Sequence, residues 1–121
     1  MNRIPRLFLI ASLLTPAAFA GKADVVDVKI TPSGDNTYRF DVTVSHADEG
    51  WDHYANQWDV VAPDGKILGS RVLLHPHETE QPFSRSLAGV EIPQEVNRVT
   101  VRARDSLHGY GGKEMSIEVP R

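Results

Sequence analysis

Tyr38-Arg39-Phe40-Asp41-Val42-Thr43-Val44-Ser45 alternates apolar and polar side chains without a break. Successive side chains of an extended chain point to opposite faces. This stretch is therefore a strand with one face toward a core and the other toward solvent. The same period recurs on both sides. Upstream, Val26, Val28 and Ile30 alternate with Asp27 and Lys29, and the turn residues of 31–36 follow. Downstream, residues 54–62 form a strand with Tyr54, Trp58 and Val60 in phase. Pro63-Asp64-Gly65-Lys66 is a hairpin turn, since proline presets φ and glycine accepts a positive φ. Residues 67–74 return, 83–87 form a short strand, and 88–95 read as a crossing loop. Residues 96–105 place Val99, Val101 and Ala103 inward, and Met115, Ile117 and Val119 mark the last strand. Seven short strands, regular turns and no helical period predict an all-β sandwich with Greek-key connections, with Trp58 buried in its third strand.

The chain has 121 residues. It opens with Arg3 and Arg6, an apolar run from Leu7 to Leu14, and the small-residue end Ala18-Phe19-Ala20. That order is the pattern of a secretory signal peptide over residues 1–20 with cleavage after Ala20. The mature domain is then 21–121, and its place is the periplasm or the exterior. The leader holds two arginines and no acid, so the mature charge is −5 where the whole chain carries −3. An acidic domain of this kind argues against nucleic acid as a partner. The absence of cysteine removes thiolate metal sites and thiol nucleophiles. It also leads to the expectation of no membrane anchor after signal cleavage.

Leu87, Ile92-Pro93, Val96, Val99-Thr100-Val101-Arg102-Ala103 and the glycines 109, 111 and 112 together resemble the last third of a fibronectin type III domain. That resemblance implies a fibronectin III-like or immunoglobulin-like sandwich and no particular activity. The blocks Trp51-Asp52-His53-Tyr54-Ala55, Leu73-Leu74-His75-Pro76-His77 and His108-Gly109-Tyr110-Gly111-Gly112 are similar to those of small exported Gram-negative proteins. This second resemblance implies export and no mechanism.

All five histidines lie in or beside three connections. In a seven-strand sandwich these are the connections 2→3, 4→5 and 6→7, which leave at one pole. Pro76 pushes His75 toward an extended conformation, so His75 and His77 share a face. His75, His77 and His108 are therefore the first candidate metal ligands, and His53 is the next. His46 continues the inward phase of Tyr38, Phe40, Val42 and Val44, and reads as a cap on the core bonded to inward-phased Asp105. Imidazole with carboxylate suits zinc or copper(II).

These readings make the domain a non-catalytic periplasmic binding module for a divalent transition metal. The alternative is an interaction module for a periplasmic protein partner or a glycan. It would use the aromatic and acidic loops of the same pole: Trp51, Tyr54, Tyr110 and Glu78. Catalysis by metal-activated water would need an enclosed pocket, which a small sandwich pole seldom offers. Ser84, Ser86 and Ser106 lack a nucleophile-elbow setting, and the glycine loop 109–113 lacks phosphate-loop spacing.

Overall fold

The structure, a computed structural model, describes residues 21–121. The expected signal peptide lies outside the described residues. Seven strands are formed among them: β1 (Asp24–Gly34), β2 (Thr37–Ser45), β3 (Ala55–Val61), β4 (Ile67–Val72), β5 (Phe83–Glu91), β6 (Arg98–Asp105) and β7 (Met115–Glu118). They build two antiparallel sheets, one in the order β1-β2-β5 and the other β4-β3-β6-β7. The all-β sandwich expected from the alternation is what forms.

The phase of β2 holds residue by residue: Tyr38, Phe40, Val42 and Val44 are buried, and the residues between them are not. They pack against Trp58 and Val60 of β3 and Val99, Val101 and Ala103 of β6, in one core that also takes Phe83 and Ile92. Trp58 is fully buried in the third strand, as expected. Gly65 has φ 92° in the β3–β4 turn, the conformation that turn requires.

The two largest boundary differences from the sequence reading, at the ends of β1 and β5, both have a backbone cause. β1 runs through Pro32 to Gly34, where a turn was expected. It lies at a sheet edge, and the register with β2 shifts between Pro32 and Gly34. An edge strand tolerates proline because one row of its N–H groups needs no ladder partner. β5 runs on to Glu91, where a crossing loop was expected. Its register with β2 shifts opposite Ala88 and Gly89, and Gly89 has φ 69°. A β-bulge absorbs the two residues that break the alternation, and the strand continues beyond it.

Candidate metal centre

Strand phase delivers two of the residues of this site. The inward period of β2 continues one step past Ser45, so His46 is buried. The inward period of β6 ends on Asp105, which is fully buried. The chain between β2 and β3 then folds back on itself. Glu49 N–H donates to the His53 carbonyl at 2.7 Å, and His53 N–H donates to the Gly50 carbonyl at 3.3 Å. This turn carries His53 beside His46, with ring centroids 4.7 Å apart. His108 follows β6 by three residues, and its ring centroid lies 4.8 Å from that of His53.

His46, His53 and Asp105 form a group that could hold a metal ion. His46 Nε2 lies 3.2 Å from His53 Nε2, and each of these nitrogens lies 3.2 Å from Asp105 Oδ2. A tetrahedral centre with bonds of about 2.0 Å has ligand-to-ligand edges of about 3.3 Å, so the three observed spacings fit one ion. His108 Nδ1 is 3.1 Å from the same carboxylate oxygen. The Gly21 carbonyl oxygen lies 3.2 Å from His46 Nε2, 3.1 Å from His53 Nε2 and 2.8 Å from His108 Nδ1.

The outward nitrogens of two of the imidazoles are already committed. His46 Nδ1 lies 2.6 Å from Asp48 Oδ1, and His53 Nδ1 lies 2.8 Å from Glu49 Oε1. A carboxylate accepts and does not donate, so each of these ring nitrogens carries the proton. In the neutral rings the two Nε2 lone pairs then face inward, toward a carboxylate oxygen and a carbonyl oxygen that also only accept. Carboxylates holding the far side of imidazoles are the usual outer support of a metal site. Asp48 is itself fixed: Oδ1 also accepts from Ala55 N–H at 3.1 Å, and Oδ2 accepts from His77 N–H at 2.6 Å.

The electrostatics follow from this crowding of acceptors. Burial disfavours the charged form of Asp105. The backbone N–H of His108, the side chains of His108 and His53 and the Leu107 N–H outweigh it and hold the carboxyl at about 2. His53 is raised above the ordinary histidine value. Its bond to Glu49 is the main cause, opposed by burial and supported by the Gly21 carbonyl and Asp105.

The residues expected at the site divide into two places. His53 and His108 are brought to the group around Asp105. His75 and His77 are not. Pro76 does set their rings side by side, with centroids 4.8 Å apart, but the pair packs elsewhere. His77 stacks on Phe83 at 3.9 Å, and its Nε2 lies 2.7 Å from Arg85 Nη2. A guanidinium only donates, so Nε2 accepts and the proton sits on Nδ1, which is buried. His77 therefore offers no free lone pair to a cation. Burial, the Arg85 charge and His75 lower its pKa. His46, read from the sequence as a core cap bonded to Asp105, brings its Nε2 to 3.2 Å from Asp105 Oδ2 and also belongs to the metal-capable group. Its signal was the inward phase of β2 continued past the strand end.

The aromatic residues divide as well. Trp51 is 67% exposed and meets Tyr54 edge to face at 5.6 Å. Glu78 is exposed beside Gly50. Tyr110 does not join them: its hydroxyl donates to buried Asp59 Oδ2 at 2.5 Å, and the Arg102 guanidinium lies over its ring at 4.1 Å.

No family model matches the chain, and no solved structure matches it. A protein of Halomicrobium mukohataei that bears the description "Putative lipoprotein" is 43% identical over 97 residues, covering 80% of this chain and 47% of that protein. The chain thus spans about half the length of this relative. The relative overturns the expectation of no membrane anchor after signal cleavage. That expectation rested on the lack of cysteine in these residues, whereas a lipoprotein is held to a membrane through its lipid.

Proposed function

We propose that this domain is a binding module of the cell envelope that holds one divalent transition metal, zinc or copper(II). The ligands are His46 Nε2, His53 Nε2 and Asp105 Oδ2, with His108 Nδ1 at the rim. One observation carries the reading. Two imidazoles, each oriented by an outer carboxylate, aim lone pairs at a buried carboxylate with spacings that suit one ion. Imidazole with carboxylate is the donor set of zinc and copper(II) rather than of calcium or magnesium. The lipoprotein relative supports an exported, cell-envelope setting.

Titration of the processed protein with zinc chloride and copper(II) sulfate by calorimetry tests this. One saturable site is expected, lost in His46→Ala and His53→Ala and kept in His75→Ala. Binding that survives both of the first substitutions defeats the proposal.

A second reading rests on the exposed apolar side chains Trp51, Leu74 and Leu107, which flank the same pole. It makes the pole a docking surface for an envelope protein or a glycan. The metal titration separates the alternatives, since only the first reading requires a saturable zinc or copper(II) site.

A further inference from the structure

The first described residue is not a bystander to the site. The Gly21 carbonyl oxygen sits within 2.8–3.2 Å of a ring nitrogen from each of His46, His53 and His108. The segment behind it is fixed by several independent contacts. Ala23 is fully buried. Val25 N–H donates to the Lys113 carbonyl at 2.8 Å, and Lys113 N–H donates to Asp24 Oδ1 at 2.7 Å. Gly112 passes so close that a Cβ there would overlap the Ala23 carbonyl. The loop before β7 therefore clamps the start of β1 and delivers Gly21 to the histidines.

Residue type matters at this position. A Cβ on Gly21 would lie 3.2 Å from His108 Cε1, tighter than ordinary contact. Glycine alone leaves that space free, and it keeps rotation about its own Cα–C bond easy. The amine nitrogen and the carbonyl oxygen of one residue are joined through two carbons, so a metal binding both closes a five-membered ring. While any residue precedes Gly21, its nitrogen belongs to a planar amide whose lone pair is delocalised and is no donor. Cleavage after Ala20 turns that nitrogen into a primary amine.

We propose that the α-amine of Gly21, freed by removal of residues 1–20, binds the metal together with the Gly21 carbonyl, so that processing of the leader completes the site. The inference rests on the metal-binding reading above and adds a ligand to it. The chain before processing is then a weak binder, and the exported product is the strong one. No bond other than the Ala20–Gly21 peptide is broken, and water supplies the proton and hydroxyl.

The full chain is exported, and the processed protein is purified and its first residue established by intact mass. It is compared with a chain carrying one alanine inserted between Ala20 and Gly21, which keeps the carbonyl and loses the Gly21 amine. Zinc affinity is read by competition with a chromophoric chelator. The inserted chain is expected to bind at least about tenfold more weakly. Copper(II) added to protein labelled with ¹⁵N-glycine is expected to show an altered nitrogen coupling in pulsed electron paramagnetic resonance. Equal zinc affinity, or a coupling that the glycine label does not change, overturns this inference and leaves the metal site standing. A native first residue other than Gly21 overturns it too. Failure of both chains to bind zinc or copper removes the metal reading and this inference together.

Discussion

Asp48 is the residue whose replacement tests the site most sharply. Its carboxylate is buried and accepts three hydrogen bonds, from His46 Nδ1, Ala55 N–H and His77 N–H. These donors belong to three separate parts of the pole, with His77 lying 29 positions away in sequence. Asp48→Ala strands all three. An unpaired buried donor costs about 1–3 kcal/mol, so a loss of about 3 kcal/mol or more is expected, a large share of a small domain's stability. Asp48→Asn is the finer probe. An amide has one accepting oxygen, so it cannot serve both the Oδ1 and the Oδ2 positions. With its oxygen toward His77, its NH₂ faces His46 and drives that ring to the tautomer with hydrogen on Nε2. With its oxygen toward His46, the His77 N–H is left facing a donor. Either way at least one buried donor is unpaired, and about 1–3 kcal/mol should be lost. In the first arrangement the metal-facing lone pair disappears as well, and zinc affinity should fall by about 10–100-fold. Urea denaturation without metal reads the first effect, and zinc competition reads the second. If Asp48→Asn keeps stability within about 0.5 kcal/mol of the wild type, the three-way bond is not what fixes the pole. If its zinc affinity is also unchanged, the orientation of His46 by Asp48 plays no part in binding.

Three further outcomes are expected. Asp59 is buried, and although burial opposes its charge, bonds from Ser70, Tyr110, Gln57 and Arg102 hold its carboxyl below the ordinary 3.8. Its contribution to stability is therefore present above about pH 4 and is lost as pH falls through the lowered folded value. Denaturation curves between pH 5 and pH 2, as rough limits, should show a flatter acid limb in Asp59→Asn, and an unchanged limb would refute the assignment. His77→Ala should cost about 1–2 kcal/mol through loss of the Phe83 stack and the Arg85 bond, yet leave zinc affinity within about threefold. A zinc site lost in that variant would put His77 back among the ligands. Gly112→Ala drives a Cβ into the Ala23 carbonyl, and backbone cannot yield as a flexible side chain does. Thermal unfolding should show a loss of about 1–3 kcal/mol, and a neutral result would mean that the start of β1 is not clamped there.

The sequence by itself determined the architecture and the inward direction of two residues, His46 and Asp105, which it read as a core cap and its partner rather than as ligands. Alternation is a local property, and the core face of a strand can be read wherever the period is unbroken, as from Tyr38 to Val44. His46 and Asp105 continue such periods, so their inward direction and their mutual contact are legible in the pattern alone. Boundaries were lost where a bulge interrupted the period, as at Gly89, because a bulge is recognised by pairing with the neighbouring strand and not by composition. The four remaining histidines lie in connections, where side-chain direction has no period. Their pole followed from strand order, but their grouping did not. Tertiary contacts decided it: Asp48 reaching the His77 backbone, Phe83 and Arg85 claiming the His77 ring, and the Gly112 clamp bringing Gly21 to His108. The first and the last join residues 29 and 87 positions apart, and the contacts to Phe83 and Arg85 bridge the turn between His77 and β5. No local pattern encodes such a contact, and it is these contacts that leave His53 and His108 facing Asp105 while turning His77 away.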